Sequence, residues 1–324
     1  MGQHEAVPED PIAVARRVAE EVLLPDAAAV DAADTIPDSH FAALDASGLT
    51  GLAAGGPDLR TRLGVTAALA GGCLATAFVW LQHQGALGAV LRSPLADRYG
   101  PGLTSGALRS GVAITALRGP APLTATRAAD GWTLTGRVPW VTGWQRIDVV
   151  RVAALDGDTV VSVLLDARES PTLVAEPLAL TAARASGTAT IRFDAHPAPP
   201  ERLLSTVPHA DWLAADTAGL AGNGALALGV AARAAVVAGS AALATEVEAA
   251  LEALATAAVE EFPAARAACS ALAVRAAAAA AIAEGARSVL AGSTAARLTR
   301  EAQFLLVFGS RPAIRQHLLE RFGA

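Results

Sequence analysis

The sequence predicts an α+β chain with a helical N-terminal domain over residues 1–108, a small central β-barrel or sandwich over 109–206, and a four-helix bundle over 207–324. Two changes of hydrophobic period predict this order: helical spacing gives way to strict alternation near Arg109 and returns near Pro208. Turn dipeptides crowd the middle zone, and long alanine runs fill the last.

In the first zone Ile12, Val14, Ala15, Val18 and Val22 recur mostly at threes and fours behind Asp10-Pro11, an N-cap followed by a first-turn proline. A second helix opens near Pro37-Asp38, carries Phe41 and Leu44, and stops at Gly48, and a longer one runs through Leu74, Phe78 and Leu81. The middle zone supplies Thr124 to Arg127, Trp132 to Val138, Ile147 to Ala153, Val160 to Leu165 and Thr188 to Phe193. These segments are short and β-branched, with hairpin turns at Asp130-Gly131 and Asp156-Gly157-Asp158. About seven strands are expected there. The last zone is broken near Glu260-Glu261-Phe262-Pro263 and Gly292-Ser293, and its alanine faces let helices approach closely.

Composition removes several functions. A net charge of -6 without clustered cations argues against nucleic acid. The chain has no lysine, so a Schiff-base lysine and a phosphate-loop lysine are excluded. Cys73 and Cys269 stand far apart in apolar helical surroundings, which fits a reducing cytoplasm. Glu5, Glu9, Asp10 and Arg16-Arg17 deny the N-terminus the apolar core of a signal peptide. Ala221 to Ala244 and Ala267 to Ala283 are apolar enough for membrane spans, but Arg233 and Arg275 interrupt them and alanine dominates, so buried bundle helices and no membrane are expected. No histidine pair has metal-ligand spacing, and no metal is expected.

Residues 131 to 144, Gly-Trp-Thr-Leu-Thr-Gly-Arg-Val-Pro-Trp-Val-Thr-Gly-Trp, carry the most functional information. Alternation puts Trp140 and Thr142 on one side of an extended strand, an indole plate beside a hydroxyl donor, which is one way to hold a flat heterocycle. A core tryptophan and a strand threonine satisfied by its neighbours is the plainer alternative.

The domain order, with Trp-hydrophobic-Thr directly after the central hairpin, resembles the acyl-CoA dehydrogenase family over nearly the whole chain. Arg300-Glu301-Ala302, Gly309-Ser310 and Ile314-Arg315 are similar to the family's closing Arg-Asp-Ala, Glu-Gly-Thr, Ile-x-Arg pattern, and Ala227-Leu228-Gly229-Val230-Ala231 to the Gly-centred first bundle helix. The resemblance implies FAD, with Trp140 and Thr142 beside its ring and Thr142 bonding near the reactive flavin nitrogen. It also implies an acyl-thioester or other small-molecule substrate and a homodimer or homotetramer built through the bundle.

The departures matter as much. Phe308 stands where the family's commonest catalytic glutamate would be. Some members place that glutamate on the first bundle helix, a position that falls on Gly219, with Asp216 almost one turn earlier; Asp216 is the candidate base, and a solvated aspartate near a helix start is the alternative. The flavin loop is reduced to Thr115-Ala116-Leu117-Arg118-Gly119-Pro120, leaving Thr115 and Arg118 as cofactor-binding candidates, and no Arg-x-x-Phe-Gly motif follows Arg233. By likeness to flavin monooxygenases of this fold, His83 is the candidate general acid/base, against a purely structural histidine. Arg297, Arg300, Arg311 and Arg315 recur as a cationic cluster that would meet CoA phosphates, a partner subunit or only solvent. Three functions stay open: an FAD-dependent oxidoreductase acting on the CH-CH bond of an acyl thioester, a flavin-dependent monooxygenase, and a non-catalytic subunit paired with a complete homologue.

Overall fold

A computed structural model describes residues 9–324, so Glu5 lies outside the described residues. Asp10 caps the first helix, α1 (Pro11–Val18), by accepting from the Ile12 amide at 3.0 Å. A π-turn over Ala19–Leu23 joins it to α2 (Leu24–Ala32). Then come α3 (Asp38–Ala46), α4 (Leu59–Gly72), α5 (Leu74–Leu91) and α6 (Ala96–Ser105). Extended backbone at Cys73 separates α4 from α5, both of which are largely buried.

The middle of the chain forms eight strands rather than about seven: β1 (Ser110–Ala113), β2 (Thr124–Ala128), β3 (Gly131–Val141), β4 (Val149–Asp156), β5 (Thr159–Asp166), β6 (Leu173–Pro177), β7 (Ala189–Ala198) and β8 (Leu203–Pro208). They make one sheet in the order β6-β7-β3-β2-β4-β5-β8, with β1 parallel to β4. One face closes on an apolar core of Leu123, Leu134, Val138, Val150, Val152 and Ile191, among others. The other face meets helices. There Val149 and Leu164 pack with α5 and α6, while Ala153 and Val160 pack with Trp212.

The C-terminal helices are α7 (His209–Ala218), α8 (Leu220–Val237), α9 (Ala241–Thr256), α10 (Phe262–Glu284), α11 (Thr294–Val307) and α12 (Pro312–Phe322). Pro263 starts α10 and the Ser293 side chain caps α11, at the breaks the sequence marks. The apolar runs are α8 and α10. Both are long and apolar enough to cross a membrane, yet their most apolar windows are 67% and 44% buried within the protein. Small residues permit this packing. A Cβ on Gly229 of α8 would come within 2.2 Å of the Ala67 carbonyl oxygen on α4.

Candidate functional site

The Trp140–Thr142 geometry differs from the expectation. Pairing of β3 with β7 slips between Val138 and Val141, and Trp140 adopts a left-handed φ of 63° in the resulting bulge. The two side chains therefore do not share a face. Trp140 is 49% exposed, whereas Thr142 is 1% exposed. The Thr142 hydroxyl bonds that of Thr188 at 3.3 Å, and Thr188 bonds Ser186 at 2.8 Å, so the buried alcohol is engaged within the protein at the strand ends.

Thr115 and Arg118 occupy one 3-10 turn (Thr115–Arg118) beside this bulge. The Thr115 hydroxyl donates to the Pro139 carbonyl, the residue before Trp140, and so fixes the backbone that presents the indole. Arg118 reaches the other way. Its Nε and Nη2 donate to the two oxygens of Asp216 at 2.7 and 2.6 Å, and Arg311 donates to Asp216 Oδ2 at 2.6 Å and to the Asp216 carbonyl at 3.0 Å. Both carboxylate oxygens are thus taken by guanidinium groups. A substrate proton would have to compete with these charge-assisted bonds for Asp216.

Arg311 follows Phe308-Gly309-Ser310, the link between α11 and α12. Phe308 lies edge-on to Phe78 of α5 with ring centroids 4.7 Å apart and stacks on Phe304 at 5.5 Å. Arg266 of α10 is fully buried and donates to the Leu305 and Phe308 carbonyls at 2.6 and 3.2 Å, capping the end of α11; burial pushes its pKa down to about 10. An aromatic cluster held by a buried cation fills the place where the resemblance asks for glutamate.

His83 belongs to a separate place, in the middle of α5. Its Nε2–H donates to the Leu103 carbonyl at 3.0 Å, which makes Nδ1 the acceptor for the Ser110 amide at 3.1 Å. Burial, the largest cause, lowers its pKa to about 4, with the Leu103 bond opposing. His83 is a neutral, doubly bonded ring beside a cavity of ≈ 10 Å³, space for about one water. Among the sequence candidates, Thr115, Arg118, Trp140 and Asp216 come together, while His83 and Thr142 lie apart in the interior.

The C-terminal arginines do not form one cluster. Arg297 pairs with Glu301 inside the bundle, Arg300 with Asp31, and Arg311 with Asp216. A hollow of about 510 Å³ was not marked by the sequence. It opens between α3 and the β4 approach, against Phe41, and its arginines are already paired, Arg109 with Asp45 and Arg146 with Asp38.

No protein-family model and no curated protein matches this sequence. Solved structures do. Butyryl-CoA dehydrogenase from Megasphaera elsdenii aligns with a TM-score of 0.84 at 17% identity, covering 99% of this chain and 99% of that one. A glutaryl-CoA dehydrogenase from Mycobacterium smegmatis, in complex with FADH2, gives 0.81 at 15% identity over 97% and 93%. FkbI, for biosynthesis of the methoxymalonyl extender unit of a polyketide immunosuppressant, gives 0.80 at 20% over 95% and 98%.

Proposed function

From a chain that has the acyl-CoA dehydrogenase fold along 99% of its length, we propose an FAD-dependent oxidoreductase acting on an acyl thioester or a related small molecule. The observation that carries the reading is the half-exposed Trp140, held out from the sheet by a left-handed bulge and fixed from behind by Thr115. An unpartnered indole at that place fits one face of a flat ring. Thr142 does not fit as a donor to it, since its hydroxyl faces Thr188. FAD, when bound, supplies a two-electron acceptor. This chain's own part is to stack, orient and exclude water: Trp140 covers the ring, Thr115 holds the turn, and the Arg118–Asp216–Arg311 triad ties the sheet to the α11–α12 link.

The chemistry the site favours within this reading is an oxidation that requires no α-proton base from this chain, as in flavin-dependent hydroxylation. Phe308 offers no acceptor and Asp216 is occupied. Two measurements test it. The purified protein is expected to show flavin absorption, or to take up added FAD, and to be reduced only slowly by acyl-CoA without oxygen. A protein that stays colourless after FAD is added would sink the proposal. Phe308 packed on Phe78 and Phe304 also favours a second reading, a non-catalytic subunit beside a complete homologue. Such a subunit would be colourless alone and would raise the homologue's flavin content or activity when co-expressed.

A further inference from the structure

Arg151 stands in the middle of β4 where the strand's pattern calls for an apolar residue. Val150, Val152 and Ala154 point into the sheet's core, and on the opposite face Val149 and Ala153 belong to two separate apolar clusters under the helices. Arg151 lies between them, flanked by Val112 and Leu164 on the neighbouring strands. Its Nε is enclosed and has no hydrogen-bond partner, and among the described residues no ion pair includes it. Enclosing one nitrogen of a half-buried cation with no counter-ion is costly, and such groups ordinarily have one.

The surroundings add positive charge. Arg92 repels Arg151 and Asp216 attracts it; burial, then Arg92, lowers the guanidinium's pKa. Asp216 is already shared by Arg118 and Arg311, and the Arg311 Nε is a second enclosed nitrogen with no partner. One carboxylate therefore answers three guanidinium groups, with Arg92 adding a fourth positive charge beside Arg151. The helix above carries two glycines. On α5, a Cβ at Gly85 would meet only Val112, at 3.9 Å, and one at Gly88 would meet the Arg92 guanidinium at 3.4 Å. Glycines three apart leave space over the sheet with Arg92 at its edge.

We infer that Arg151 forms the floor of a binding site for an oxyanion, the carboxylate or phosphate of a small-molecule ligand, with Arg92 and the Arg118–Asp216–Arg311 triad at its rim. The planar guanidinium matches either group through paired N–H donors. The site does not depend on a bound flavin, so it stands or falls separately from the function proposed above. Binding of glutarate and of inorganic phosphate, each titrated by calorimetry and by thermal melting at low chloride, tests it on the full chain, its Arg151→Gln and Arg151→Met variants, and Arg92→Gln. One anion is expected to bind saturably, at least tenfold more weakly to Arg151→Gln and several-fold more weakly to Arg92→Gln. Preference for glutarate would assign a carboxyl-bearing acyl ligand, and preference for phosphate a phosphorylated one. Without ligand, Arg151→Met is expected to melt at or above the parent, since an unpaired cation is removed from the sheet face. Equal binding by parent and Arg151→Gln, no saturable binding of either anion, or an Arg151→Met that melts several degrees lower would each overturn the inference.

Discussion

His83 shows how a residue type can point to chemistry while its setting removes it. Its pKa in the folded chain is about 4 against an ordinary 6.5, because burial penalises the charged ring. The unfolded chain takes up this proton first as pH falls. Stability is therefore complete above about pH 6.5 and is lost toward pH 4, by up to about 3 kcal/mol from this one group. His40, also lowered by burial, adds in the same direction. Urea midpoints at pH 7 and pH 4.5 should differ in the parent, and the difference should shrink in His83→Gln. Trp140 makes the opposite case, a side chain whose exposure is bought with backbone strain. Trp140→Gly relieves a left-handed φ, so it is expected to leave unfolding free energy unchanged or raise it by up to about 1 kcal/mol while weakening flavin uptake. Parallel melting and flavin titration would check it. Alternation paired Trp140 with Thr142 on one face, but their true facing was illegible, because the bulge arises from register with β7 some fifty residues downstream. Likewise Arg118 and Asp216 were separate candidates in sequence; only folding shows that each occupies the other.

At the scale of elements, several helix starts were legible because capping and breaking residues mark them, Asp10, Pro263 and Ser293 among them, whereas α4, capped by Asp58, and the Pro101-containing α6 were not. What no periodicity reveals is which helices touch. Gly229 decides one such contact. With the Ala67 carbonyl 2.2 Å and the Ala70 methyl 2.7 Å from a would-be Cβ, α8 can cross α4 at this distance only if the residue is glycine. Gly229→Ala is expected to destabilise by about 2 kcal/mol through overpacking, despite alanine's better helix propensity, as read from a urea midpoint. Gly285→Ala at the end of α10, which meets nothing within 4 Å but has φ +67° with ψ -144°, separates strain from crowding, and its cost of about 1–3 kcal/mol is expected to come from the backbone alone. The triad behaves as an inter-element tie as well. Asp216→Asn leaves Arg118 and Arg311 facing each other without their shared anion. A loss of about 2–4 kcal/mol is expected, larger at low salt where the repulsion is less screened.

For the whole molecule, the described surface is uneven. Val236, Ile282, Val289, Leu290, Val307 and Phe322, all on the C-terminal helices or their links, are each more than half exposed. Most of the other large apolar side chains are buried in the cores, so this concentration is not an overflow of a hydrophobic composition spread evenly over the protein. A second copy of the chain, or a homologue with the same bundle, is the simplest occupant, because a twofold contact places the same residues of two copies against one another. Light scattering on the purified protein is expected to give a multiple of 32.6 kDa. Charge placed at the most exposed members, Ile282→Asp with Val289→Asp, should shift that mass toward 32.6 kDa and leave the melting of the isolated chain nearly unchanged, since both side chains are about four-fifths exposed and make few contacts within it. If the parent is already a 32.6 kDa particle and a co-expressed homologue does not associate with it, the exposed bundle face is not an interface. A parent that elutes alone but associates with a homologue would instead favour the non-catalytic subunit, and would explain why Phe308 is tolerated where the fold's dehydrogenation chemistry needs a base.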